Sequence, residues 1–225
     1  GQRQQLLDVA KPITPERLVH HFAAGWPQAD PLQVQGMDAF ASALRQFRTS
    51  AVLAIMARDL NQTADLDENL TAITALADMT INTAYHAAMT VAIHQHGIPR
   101  DASGQPQDMM IVGMGKLGGR ELNVSSDVDL IYVFSEDGET DGSTPGSKPI
   151  DTSTFFTKVG RRIAALLGEL TADGIVFRVD LRLRPNGDAG PLACSLGMLE
   201  EYFIVQGREW ERYAWIKGRV TNAPR

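Results

Sequence analysis

The chain has 225 residues, enough for one large or two small domains, and its 44% hydrophobic and 21% charged content is ordinary for a soluble globular protein. A formal net charge of −6 argues against a general nucleic-acid binder, and the single cysteine, Cys194, excludes an intramolecular disulfide and fits a reducing, cytoplasmic compartment. No apolar run is long enough to span a bilayer, the opening GQRQQLLDVAKP is not a signal peptide, and the start at Gly1 and stop at TNAPR read as a piece of something longer.

Lys11–Pro31 reads as a loose helical or loop segment. Met37–Leu60 then carries apolar residues at three and four spacing, which predicts a helix. Asn61-Gln62-Thr63 breaks it, Asp65 and Glu68 have capping-box spacing, and a second long helix is expected from Leu66 to His96, closed by Gly97 and Pro99. Arg100–Asp108 reads as a linker. Strands are predicted at Met109–Met114 and Val128–Phe134, joined through a glycine-rich turn. Ser135–Ile150 is polar, acidic and rich in Gly and Pro, a solvated excursion. A helix from Ser153 to Thr171, a strand at Ile175–Leu183 stopped by Pro185, and helices over Leu196–Val220 with a break near Gly207 complete the chain. The expected division is a mainly helical region at 1–107, a catalytic core at 108–195 and the start of a further helical region at 196–225.

The chemistry concentrates in IVGMGKLGGRELNVSSDVDLIYVF, Ile111–Phe134. Asp127 and Asp129, at i and i+2 beside a strand, point to one face. Two like charges side by side are costly unless a cation sits between them, and magnesium commonly joins one or two carboxylates to substrate phosphates. An isolated Asp-x-Asp is usually a solvated turn. This pair instead precedes an apolar strand, and Asp180 in FRVDLRL supplies a third acid on the side opposite Val179 and Leu181. Were the two strands neighbours, three carboxylates would converge as a two-metal site for displacement at phosphorus requires.

Gly113, Gly115, Gly118 and Gly119 bracket Lys116. The pattern is neither a Walker loop, which needs GxxxxGK[ST], nor a dinucleotide fingerprint, whose glycines a long helix would follow; here a second strand with its acidic pair starts about ten residues later. Its backbone N–H groups could approach phosphate. Lys116 is either a phosphate ligand or an exposed turn lysine. Arg182 and Arg184 suit bidentate phosphate recognition or pairing with local acids, and the two roles can coexist. The turn Asn186–Gly190 could face the same cleft. In GREWERYAWIKGR, Trp210, Tyr213, Ala214 and Lys217 share a helical face, so core packing is expected of the aromatics, while Arg208, Glu211, Arg212, Lys217 and Arg219 are candidates for a far wall of the site. His94 and His96 point to opposite sides of a helix and form no zinc site.

These segments, with RVDLRLRPNGDAGPLACS and EYFIVQGREWERYAWIKGR, closely resemble the bacterial family of bifunctional glutamine synthetase adenylyltransferase/adenylyl-removing enzymes. That family lies within the polymerase-β-like nucleotidyltransferases, which pair a Gly-Ser turn with Asp-x-Asp and a later strand acid. Here Gly115-Lys116 stands at the Gly-Ser position. Such enzymes carry two related domains, and Met114, Asn123, Ser125 and QGREWERYAWIKGR resemble the adenylyl-removing one.

The resemblance implies an α+β fold, a short mixed sheet with flanking helices, a largely helical N-terminal part and a helical C-terminal segment. It implies phosphorolysis, in which inorganic phosphate takes AMP from an adenylylated tyrosine of glutamine synthetase and leaves as ADP. On that reading Asp127, Asp129 and Asp180 bind Mg²⁺. Lys116, Arg182 and Arg184 meet phosphate charge, with hydrogen bonds from Ser126 and the Gly115–Gly119 backbone, Gly118 included. Adenylylated glutamine synthetase, a PII-type signalling protein, phosphate and ADP or ATP are the implied partners, with no nucleic acid and no membrane. The reverse reaction, adenylyl transfer from ATP, uses the same carboxylates. A non-catalytic nucleotide- or PII-binding module has no need of three acids, and a template-dependent polymerase would need a basic surface.

Overall fold

The computed structural model describes residues 7–25, 31–32, 36–143 and 148–222. Three helices open the chain: α1 (Pro15–Gly25), α2 (Gly36–Leu60) and α3 (Leu66–His96). Residues 26–30 of the expected loose segment lie outside the described set. The Asp65 carboxylate caps α3 by accepting from the Glu68 N–H at 2.8 Å. The reciprocal half of the expected capping box does not form. Glu68 instead pairs with the buried Arg58 at 2.6 Å, an ion pair that fastens α2 to the start of α3. At the other end Gly97, at φ +85°, donates to Ile93 O at 2.8 Å, and a Cβ there would lie 2.5 Å from Asp141 Oδ1.

Pro99–Asp101 forms β1, paired antiparallel with β4 (Gly138–Thr140). The expected linker therefore begins as a strand, and the polar excursion after Phe134 begins with its partner. Residues 144–147 of that excursion lie outside the described set.

The principal sheet is mixed. β2 (Met109–Gly113) and β3 (Val128–Phe134) run antiparallel, with Met109 opposite Phe134 and Gly113 opposite Leu130. On the far side of β2 lies β7 (Arg219–Val220). Along its other edge β3 meets β5 (Val179–Asp180) at its start and β6 (Ala193–Ser195) at its end, both parallel.

The strand expected over Ile175–Leu183 pairs through two residues only. Before it, Val176 and Phe177 both donate to Leu167 O on α5 (Thr152–Gly168), at 2.9 and 3.0 Å; after it, the Arg182 N–H turns back to Asp180 Oδ1. α5 also ends earlier than the periodicity suggests. The Glu169 N–H closes the last turn onto Ala165 O at 3.1 Å, and the buried Arg45 of α2 donates to that carbonyl at 3.3 Å and to Glu169 O, beyond the helix, at 2.8 Å.

Alternation along β3 sorts its side chains. Val128, Leu130, Tyr132 and Phe134 enter a core shared with α1, α2, α3 and α5, through residues such as Leu18, Phe47, Tyr85 and Phe155. Ile131 and Val133 face a second, smaller cluster with Val112, Met114, Cys194 and Leu199. That face is covered by α6 (Leu196–Val205) and α7 (Glu209–Trp215), where Phe203 and Trp215 pack edge to face. The expected break near Gly207 is present. The core packing expected of Trp210 and Tyr213 is not: they are 53% and 71% exposed, because α7 lasts only seven residues and anchors through Ala214 and Trp215. The chain then returns to the sheet as β7, where a helix was expected.

Candidate active site

The acids meet where β3 begins. Asp129 and Asp180 are Cα partners in the parallel β3–β5 pair, so their side chains leave the sheet on the same face. Val179 and Leu181 pack against the main core, which turns Asp180 outward as the alternation predicts. Asp127 stands two residues before Asp129, at the mouth of β3.

The glycine turn lies beside them as a single helical turn, α4 (Gly115–Gly118). Gly115 adopts φ +53°, and a Cβ on it would come 3.0 Å from Asp129 Oδ2, so glycine lets the backbone close on the carboxylate. At Gly118 a Cβ would lie 1.9 Å from Lys217 O; no side chain fits there. The Gly118 and Gly119 N–H groups donate to Met114 O and Gly115 O, each at 3.0 Å. They are spent inside the turn, which differs from the expectation that the whole Gly115–Gly119 backbone faces phosphate. The first-turn N–H groups of Gly115 and Lys116 have no partner within so short a helix.

An open cleft of about 460 Å³ is lined by Gly115, Lys116, Asn123, Ser125, Ser126, Asp127, Asp129 and Arg178; Asp180, Arg182, Gly118 and Gly119 are not among its lining residues. Asn123 shapes its loop: its Oδ1 accepts from the Ser126 hydroxyl at 2.8 Å and from the Ser125 N–H at 3.2 Å. Lys116 is exposed in the cleft.

Burial and the neighbouring Asp180 and Asp127 carboxylates hold the Asp129 carboxyl above the usual range, with Arg182 pulling partly back. Asp180 moves the opposite way, because hydrogen bonds from Arg182 favour its ionised form. Arg182 grips it with Nε 3.0 Å from both oxygens and a backbone N–H at 2.8 Å. The repulsion is therefore felt at Asp129, the acid with no arginine clamped on it.

Among the described residues no three His, Cys, Asp or Glu side chains are grouped so as to hold a metal ion as they stand. Two of the three acids are instead turned to arginines, Asp180 to Arg182 and Asp127 to Arg178 at 2.5 Å. The donor set nevertheless suits a hard divalent cation, since it consists of carboxylate oxygens whose mutual repulsion such an ion would relieve. The Arg178–Asp127 pair is solvent-exposed and contributes at most about 1 kcal/mol.

Other candidates lie elsewhere. Arg184 is partly buried, bonded to Leu181 O at 2.6 Å and near Asp188, and does not line the cleft; nor does the Asn186–Gly190 turn. None of the five expected far-wall residues lines it either. Glu211 accepts from Tyr202 Oη and the Arg208 N–H, and Arg212 donates to Phe203 O. Lys217 pairs with Glu121 at 2.7 Å. Arg219 pairs with Asp78 of α3 at 3.0 Å and donates to Leu117 O at 3.1 Å, bracing the glycine turn from behind. Arg178 was not among the expected site residues; its alternation with Asp180 is the signal that places it on the cleft side.

Residues 4–224 match the family described as Glutamate-ammonia ligase adenylyltransferase. The chain is 53% identical to the bifunctional glutamine synthetase adenylyltransferase/adenylyl-removing enzyme of Burkholderia pseudomallei over 224 residues, 95% of this chain and 24% of that protein. Proteins of the same description from Ralstonia nicotianae and Nitrosomonas europaea are 54% and 55% identical, over 83% and 80% of this chain and 19% of each relative. The chain thus spans about a quarter or less of the length of these relatives.

Proposed function

The chain belongs to the glutamate-ammonia ligase adenylyltransferase family, and on that footing we propose that its acidic cleft removes AMP from an adenylylated tyrosine of glutamine synthetase by phosphorolysis. An oxygen of inorganic phosphate forms a bond to the α-phosphorus, the bond from that phosphorus to the tyrosine oxygen breaks, and the phenolate takes a proton from solvent. ADP and unmodified synthetase are the products. The observation that carries this reading is the pairing of Asp129 with Asp180 across β3 and β5, beside Asp127 and the glycine turn.

Asp127, Asp129 and Asp180 would hold Mg²⁺, which when bound supplies charge stabilisation at the transferred phosphoryl group. The chain's own groups then position the substrate. Lys116 and Arg178 give the cleft positive charge for phosphate oxygens, and the Ser125 and Ser126 hydroxyls, which both donate to Asn123 Oδ1 here, would turn from it to reach them. Phosphate arrives already anionic, so no general base is required.

The removing direction is favoured by Met114, Asn123, Ser125 and QGREWERYAWIKGR, the segments that resemble the adenylyl-removing domain. The relatives are named for both activities. A PII-type protein is the proposed regulator and the cytoplasm the proposed location; among the described residues no helix is long and apolar enough to cross a membrane. The test is incubation with adenylylated synthetase, Mg²⁺ and phosphate, and in parallel with unmodified synthetase, Mg²⁺ and ATP. ADP release supports the proposal; AMP incorporation from ATP without ADP release assigns the chain to adenylyl transfer instead.

A further inference from the structure

The arginines near the acids are held in different ways. Arg182 engages both oxygens of Asp180, whose side chain is only 17% exposed. Arg184 is partly buried, with one terminal nitrogen on Leu181 O and the other 3.4 Å from Asp188. Arg178 alone among them lines the cleft; its side chain is 66% exposed, and it reaches one oxygen of Asp127 through Nε and Ser125 O through a terminal nitrogen at 2.7 Å. A guanidinium carries five N–H donors, so most of its fork remains outside these two bonds.

We infer that Arg178 is an exchangeable partner of Asp127, yielding the carboxylate to a divalent cation and turning its freed fork to the phosphate substrate in the same cleft. The inference rests on the Mg²⁺-dependent phosphorolysis proposed above. The exchange is easy because an exposed ion pair is weak and screened by salt, whereas the two-pronged grip on the more buried Asp180 resists displacement. The bond to Ser125 O tethers Arg178 at the cleft when Asp127 lets go. A guanidinium released there meets phosphate with a matching bidentate geometry, and Lys116 lines the same cleft as a second cation. Arg178 thereby keeps Asp127 compensated before the cation binds and links cation binding to phosphate capture.

The test is nuclear magnetic resonance on the isotope-labelled chain, titrated with Mg²⁺ alone and then with inorganic phosphate. The Arg178 Nε–H signal, identified by its disappearance in Arg178→Lys, should shift when Mg²⁺ is added and shift again with phosphate. Arg178→Lys should weaken phosphate binding about tenfold in the presence of Mg²⁺ while leaving Mg²⁺ affinity within about twofold. Mg²⁺ that moves the backbone signals of Asp127 and Asp129 but leaves the Arg178 signal in place overturns the exchange. Mg²⁺ that moves neither, or moves the backbone signals equally in Asp129→Asn, overturns the metal assignment beneath it.

Discussion

Asp129 and Asp180 are direct partners across the parallel pair of β3 and β5, and that single register places two acids from distant parts of the chain on one face of the sheet. Asp180 is compensated by Arg182, whereas Asp129 is left above its usual range by burial and by its acidic neighbours.

Asp129→Asn removes the repelled member of the cluster without changing its size. Turnover should fall by roughly a thousandfold, as expected when charge stabilisation at phosphorus is lost. The folded chain should melt no earlier than the parent in Mg²⁺-free buffer, since like-charge repulsion is relieved. Parallel assays of activity and thermal unfolding check both halves.

Arg219 ties the glycine turn to α3 through Asp78, Leu117 O and Gly118 O. Arg219→Ala leaves a carboxylate and two carbonyls without that donor. With both side chains of the pair about a quarter exposed, the expected loss is about 1–2 kcal/mol in urea unfolding. Arg219→Lys should recover only the ion-pair share, and Asp78→Asn should cost less than Arg219→Ala.

Two glycines predict opposite outcomes. Gly118→Ala would press a methyl group onto the Lys217 carbonyl, a backbone atom that cannot swing away, and should cost about 2–3 kcal/mol. Gly197→Ala in α6 meets nothing within 4 Å and should stabilise by about 0.5–1 kcal/mol. Thermal or urea unfolding of the two variants checks the contrast.

Asp141 gives the fold a defined acid sensitivity. Hydrogen bonds from Ser143, the Ile98 N–H and Arg100 hold its carboxyl down to about 2, against an ordinary value of 3.8. The stability it contributes is fully present above about 3.8 and is lost as pH falls through about 2. Asp141→Asn should therefore be less stable than the parent at neutral pH and show a shallower loss across that window, measured by unfolding at a series of pH values.

The long helices and β3 were readable because each carries many residues of one period: α2 and α3 have apolar stripes, and the outward turn of Asp180 follows from Val179 and Leu181 facing the core. β1, β4 and β7 were not, because strands of two or three residues carry no period and exist only through their partners. The same holds for the site. Asp127 and Asp129 announce themselves by spacing. Arg219 does not, since its meeting with Asp78 depends on β7 returning to the sheet edge. Trp210 and Tyr213 matched a core pattern yet stand exposed, because periodicity shows which residues share a helix face and not whether anything packs against it.

The most direct measurement follows radiolabelled inorganic phosphate during incubation of the chain with adenylylated glutamine synthetase and Mg²⁺. The label should appear in the β-phosphate of ADP, in step with loss of AMP from the synthetase, and Asp129→Asn should abolish it. Release of AMP without labelled ADP, or labelling that persists undiminished in Asp129→Asn, would contradict phosphorolysis at the β3–β5 acids.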